Sequence, residues 1–416
     1  MKFLIMPKPI LAKNMSLRAY CLRYQQAQDF VADAPVRFLD GIVALPFLKV
    51  LDDLGLDALT GGSPLFVPIN KFSLLTDISE QCHQPPNKII FLLDNQVPPE
   101  EPFLSCIKNL KSKGFSFAVE NVVNFGFMDP ILQHCDYVML SFKAGNMKNL
   151  DLYTRMSFKY KDHIFIASGV DRVDTFYELQ KHGFRFYEGN FYTLPLPRDR
   201  GAMSPVKVNR IQLLNTVHKP DFAIEDVVKI VTRDPSMIIS LLRFVNSPYL
   251  GISQEIKSVP QAVALLGQVE VRKWVLTTIM SLLAEDKPSE LVRLALFRAK
   301  FAERLARCFD MAMLSNTLFL VGLFSILDAT LDLPMEEALQ KVKVSDEVSS
   351  TLITREGRLA PVLNFVFAYE SADWTGVKNI MILNKIKPEE IFEAYIDTAK
   401  WYGSLIDSTK ETVDQP

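Results

Sequence analysis

AIEDVVKIVTRDPSMIISLLRFVNSPYLGISQEIKSVPQAVALLG, residues 223–267, carries three helix signals in succession. Ile224, Val227, Val228 and Val231 recur at helical spacing, as do Ile238, Leu241, Leu242 and Val245, so two short helices each present one apolar stripe. Asp234-Pro235 starts the second with an acceptor at the cap and a proline at the first helical position. Asn246-Ser247-Pro248 stops it, because proline biases the residue before it away from helix. Ser258-Val259-Pro260 opens a third segment that ends at Gly267, a residue suited to a C-terminal cap. Caps and stops explain these positions without chemistry.

Around that stretch the chain divides. Its 416 residues imply two to three domains, and 49% hydrophobic against 23% charged content is ordinary for a globular chain. Forty-six basic and 48 acidic residues nearly cancel, which argues against a nucleic acid or an anionic membrane as partner. The five cysteines (Cys21, Cys82, Cys106, Cys135, Cys308) lie far apart and fit neither a zinc site nor a disulfide framework, so a reducing cytoplasm is expected. Pro7-Lys8-Pro9 cuts the first apolar run below the roughly 7–15 residues of a signal-peptide core. Met311–Leu327 is interrupted by Ser315, Asn316, Thr317, Gly322 and Ser325 and is too short for a membrane span, so a buried helix is expected there.

From residue 2 to about 190, apolar runs alternate with helical patterns. The runs are 3–6, 19–24, 65–70, 89–93, 115–119, 137–141, 164–167 and 184–187; helices are expected over 38–54, 100–113, 147–160 and 172–182. Strand–helix repetition with about eight strands predicts an α/β fold, a (β/α) barrel trimmed from its usual length of about 250 residues, with the first two runs close enough for an antiparallel hairpin. Residues 196–208, rich in proline and without periodicity, read as a linker after a barrel of residues 1–195. Residues 209–408 show only helical patterns and predict an all-α domain, followed by a polar tail at 409–416. Met311, Met313, Trp274, Phe297 and Phe301 sit at helical spacing and are expected to pack.

The punctuated motifs of 233–267 resemble the signature of HDOD domains, an all-helical relative of the HD phosphohydrolases without their metal-binding histidine and aspartate. Asp234, Pro235, Asn246, Ser247, Ser258 and Gly267 carry that match. The adjacent histidine and aspartate of an active HD enzyme would fall at Ser325 and Ile326, and His218 stands alone in this half. The first half resembles EAL domains, barrel phosphodiesterases of the bacterial second messenger cyclic di-GMP, and an EAL barrel followed by an HDOD domain is a known bacterial arrangement. The resemblance puts Cys21 at the eponymous metal-binding glutamate, Asn70 at the family's asparagine ligand and Phe91 at a second metal glutamate. It puts Glu120-Asn121 at the paired aspartates, and Met139 and Ser141 at a lysine and an aspartate. Ser168 and Gly169 take the places of a glutamate and a lysine, Asp171 and Glu188 those of a later glutamate and glutamine, and Gln25 that of a phosphate-contacting arginine.

A two-metal phosphodiesterase needs several carboxylates around ions about 3.5–4 Å apart. A thiol and a phenyl ring cannot supply hard oxygen ligands. The resemblance therefore implies a degenerate barrel with no catalytic residues, no metal and no cofactor, although Asp94, Glu120, Asp171 and Glu188 could together hold one weak ion. The expected function is regulation by protein–protein contact, with signalling proteins as partners, in a cyclic di-GMP network affecting motility or biofilm. A homodimer is compatible with this reading. Two alternatives stay open: a sensor that binds cyclic di-GMP without cutting it, and a residual phosphodiesterase.

Overall fold

The first apolar runs form a long antiparallel hairpin, β1 Phe3–Ala12 and β2 Leu17–Gln26, turned at Asn14, whose carboxamide oxygen accepts from Ser16. In the computed structural model, residues 3–26, 48, 51–52, 55–76, 78–195, 203–218, 223–232, 235–252 and 254–410 are described. Six further strands follow: β3 Leu65–Ile69, β4 Ile89–Leu93, β5 Ser116–Glu120, β6 Tyr137–Ser141, β7 Ile164–Ser168 and β8 Phe186–Glu188. They close a barrel in chain order, parallel from β2 to β8, with β1 antiparallel to both of its neighbours. The expected barrel and hairpin are both present. Of the expected helices, Phe103–Ser112, Asn149–Lys159 and Val173–Lys181 form as read, while most of 38–54 lies outside the described residues.

Side chains alternate across each strand, so every second residue enters the barrel. Ile10, Cys21, Phe66, Leu92, Ala118, Met139 and Ile166 meet there as an apolar plug. Two residues further along, the inward register holds Arg23, Pro68, Glu120, Ser141 and Ser168, which places a polar layer at the C-terminal mouth. Closure depends on Gly189. Its φ is +150°, and a Cβ built on it would stand 2.1 Å from the Val170 carbonyl oxygen. Val170 in turn exchanges backbone hydrogen bonds with Glu188 and Phe191. Phe176 stacks on Phe191 at 4.4 Å beneath this turn.

Met1–Leu194 and Ala368–Phe392 make one compact unit, and Pro195–Phe367 with Glu393–Pro416 the other. Residues 368–392 thus pack with the barrel although they fall inside the stretch read as one helical domain. Tyr369 shows how they dock. Its buried hydroxyl accepts from the Ile5 amide (3.1 Å) and donates to the Ile5 carbonyl (3.0 Å), and its ring meets Trp374 edge-on. Tyr369→Phe leaves both Ile5 groups buried without a partner, at a cost of about 1–3 kcal/mol. Urea unfolding will read that loss, and amide exchange at Ile5 will accelerate.

The second unit is helical. A helix already begins at Pro205 (Pro205–His218), inside the expected linker, and Ile224–Thr232 and Pro235–Val245 follow as read. Ser258 caps Val259–Leu283, which kinks at Gly267 (φ +74°), so the expected stop is a bend within one long helix. Ser289–Leu305 and Ser315–Phe324 cross closely because Gly322 has no Cβ; one placed there would meet Arg298 O at 2.5 Å. Trp274 and Phe301 are buried as expected, but Met313 is 94% exposed, its helix-like spacing notwithstanding, because it lies in a short turn between these helices. Among the described residues, no helix is long and apolar enough to cross a membrane.

Candidate functional site

The barrel mouth holds a cavity of about 560 Å³. Glu120, Asn121, Ser141, Ser168, Gly169 and Glu188 line it, so the structure brings together six of the residues read from the sequence. The strands deliver them because each ends on an inward position. The cavity's cations are Lys8 from β1, Arg23 from β2 and Lys143 after β6, and Trp374 supplies an aromatic wall.

Two ion pairs dominate the polar layer. Arg23 Nη1 lies 3.2 Å from Glu120 Oε2 and 3.4 Å from Oε1. Lys8 Nζ lies 3.4 Å from Glu188 Oε1, and the Glu188 side chain is only 4% exposed. Burial pushes the Glu188 carboxyl up, but Lys8, Arg23 and the Gly169 N–H, which donates to Oε2 at 3.4 Å, hold it below the ordinary carboxylate range. Each acid at the mouth has its own internal cation.

The other expected site residues are elsewhere. Cys21 is fully buried in the apolar plug; burial pushes its thiol up to about 12, against the pull of Arg23, so it is no thiolate ligand. Met139 lies in the same plug, its sulfur 3.9 Å below Arg23 Nη2. Phe91 points out of the barrel, against Phe115 and Phe117, because Ile90 and Leu92 take the inward register. Expecting Phe91 in the pocket was a one-residue error of register, and such a slip reverses the face. Asn70 is an N-cap, accepting from the amides of Phe72 and Ser73 at 3.0 and 2.9 Å. Asp94 accepts from the Gln96 amide within a local turn, and Asp171 accepts from the Asn190 amide, tying the loop after β7 to the one after β8. Gln25 shares the face of Arg23 on β2 but does not line the cavity.

The implied pair of divalent cations does not fit this donor set. Hard cations require several free oxygen ligands. Here the two mouth carboxylates are bound to ammonium and guanidinium groups, Asn70 is spent on a helix, and the thiol is buried and protonated. Among the described residues no group of three or more His, Cys, Asp or Glu side chains is placed to share one ion.

The helical unit repeats the pattern. Where the resemblance sets the HD pair, Ser325 and Ile326 are buried, and Arg298 Nη1 donates to Ser325 Oγ at 3.0 Å. Arg298 and Arg355 both lie over the Phe367 ring, at 4.5 and 3.8 Å. Nearby Asp328 has its carboxyl pushed up by burial, partly offset by its own amide neighbours and Arg298. Of the signature residues, Pro235 opens its helix. Asn246 ties the following loop down through Leu242 O and both backbone groups of Ile256. Ser247 is buried, Ser258 caps and Gly267 bends, while Asp234 lies outside the described residues.

Lys8, Arg23, Lys143 and Trp374 were missed in the sequence. Lys8 and Arg23 carried one available signal, since both break otherwise apolar strand runs on the inward register. Trp374 carried none, lying 180 residues beyond the barrel's last strand turn in a helical pattern (374 minus 194).

The chain thus joins a closed eight-stranded barrel to a helical region that carries an HDOD domain, whose family model matches residues 203–353. It is similar to the protein YuxH of Bacillus subtilis, 25% identical over 419 residues, covering 98% of this chain and 100% of that one. It is also similar to the cyclic di-GMP phosphodiesterase CdgJ of Vibrio cholerae, 28% identical over 318 residues, covering 76% of this chain and 74% of CdgJ. Among solved structures, the EAL domain of Mycobacterium smegmatis DcpA overlaps 45% of this chain and 90% of its own (12% identity, TM-score 0.33). An EAL domain protein of Listeria monocytogenes overlaps 47% and 89% (15% identity, TM-score 0.36).

Proposed function

We propose that this protein is a non-catalytic regulator in a bacterial cyclic di-GMP network, acting by contact with other signalling proteins. The observation that carries the reading is the pairing of Glu120 with Arg23 and of Glu188 with Lys8 at the barrel mouth. Those cations engage both carboxylates that line the mouth, so neither is free to hold an ion for metal-assisted hydrolysis. The relation to CdgJ and the HDOD domain support the network, and the second arginine-filled position at Ser325 supports the loss of hydrolase chemistry in the helical unit.

A second reading, a sensor that binds cyclic di-GMP without cutting it, is favoured by the cavity itself, with Trp374 as a surface for a base and exposed Lys143 as a phosphate contact. Against it, Lys8 and Arg23 are already engaged, so among the described residues lining the cavity two phosphates would meet one spare cation, Lys143. Calorimetric titration of cyclic di-GMP into the full chain, with Mg²⁺ and then Ca²⁺, separates the two. The regulator reading predicts no heat up to hundreds of micromolar ligand. Micromolar binding sinks it in favour of the sensor.

A further inference from the structure

The helical unit holds a second cavity, of about 400 Å³, between the helices Val259–Leu283, Ser289–Leu305 and Pro388–Lys410. It is separate from the degenerate HD position, since neither Arg298, Ser325 nor Asp328 lines it. Its body is apolar: Val292 and Leu296 face Leu405. The charges at its edge are spent, Lys287 on Asp332 at 2.5 Å and Glu285 on Arg210 at 2.8 Å. Thr277, Thr278 and Ser281 donate their hydroxyls to carbonyls of their own helix, at 2.7, 3.0 and 2.9 Å. Tyr402 lines the cavity beside Ser240 and Ser289, and none of these three side chains makes a hydrogen bond among the described residues. Burial pushes the Tyr402 phenol up, so it remains a donor throughout the physiological range.

A largely apolar cavity of this size with a few polar groups on its wall is the usual form of a small-molecule site. We propose that this cavity binds an uncharged amphiphile, its aliphatic body against Val292, Leu296 and Leu405 and an acceptor oxygen on the Tyr402 hydroxyl. An ionic ligand is disfavoured because every charge at the edge already has its partner.

The test is fluorescence titration of the full chain with N-phenyl-1-naphthylamine, an uncharged apolar probe, and its displacement by 1-octanol. The expected result is saturable one-to-one binding that octanol reverses. Leu296→Trp, which fills the cavity, should abolish it while the circular dichroism stays that of the parent. Tyr402→Phe should leave probe binding unchanged and weaken octanol roughly 2- to 10-fold, the value of one hydrogen bond. Non-saturable uptake, probe binding that survives in folded Leu296→Trp, or equal octanol potency in Tyr402→Phe overturns the proposal. Should Leu296→Trp not fold, the Tyr402→Phe comparison decides alone.

Discussion

Lys8→Met should destabilise the protein by an amount toward the lower end of the roughly 3–5 kcal/mol expected when one partner of a buried ion pair is removed. Methionine keeps most of the volume, so the loss is electrostatic. Glu188 would keep the Gly169 N–H and the field of Arg23 but lose its nearest cation. The pH dependence gives the diagnosis. In the parent, the folded pKa of Glu188 is depressed, so its contribution is fully present above the unfolded carboxylate pKa of about 4.3 and is lost as pH falls through the lower folded value. Without Lys8, burial prevails and raises the folded pKa. The penalty then exists at neutral pH and shrinks as the carboxyl protonates on acidification. Urea unfolding at pH 7 and pH 4.5 should show a large deficit closing to a small one, and Lys8→Met combined with Glu188→Gln should recover most of the loss at pH 7. An unchanged midpoint at both pH values would remove the pair from the account.

Gly189→Ala should cost still more. A side chain at φ +150° carries about 1–3 kcal/mol of backbone strain, and the new Cβ would stand 2.1 Å from Val170 O and 2.5 Å from Val170 C. Neither atom can rotate away, since both are backbone, so overpacking adds about another 1–3 kcal/mol. The turn that seats Glu188 would open, with the Val170–Phe191 hydrogen bond beside it. A fall in thermal midpoint together with loss of near-ultraviolet dichroism from the Phe176–Phe191–Tyr187 cluster is the expected observation.

How far the sequence could be read follows from what each residue responds to. The eight strands were visible because parallel strands buried on both faces appear as unbroken apolar runs, as in Ile89–Leu93, every residue of which is buried. The helix punctuation at Pro235, Asn246 and Ser258 was visible because caps act locally. Phe91 was misplaced because an all-apolar strand hides its inward register, which only the neighbours across the barrel decide. The ion pairs were invisible for a related reason: Lys8 and Glu188 are 180 residues apart (188 minus 8), and closure of β1 on β8 alone makes them neighbours. Docking of Tyr369 on Ile5 spans 364 residues and left no local trace.

The central claim is that the barrel's own cations hold both carboxylates at its mouth, so that neither is free for a metal ion. Its most direct test is incubation of the purified full chain with cyclic di-GMP and Mg²⁺ or Mn²⁺, with chromatography for the linear dinucleotide. The account predicts no product above the protein-free control over many hours at micromolar protein. Metal-dependent formation of the linear dinucleotide, abolished by Glu120→Gln or Glu188→Gln, would contradict it.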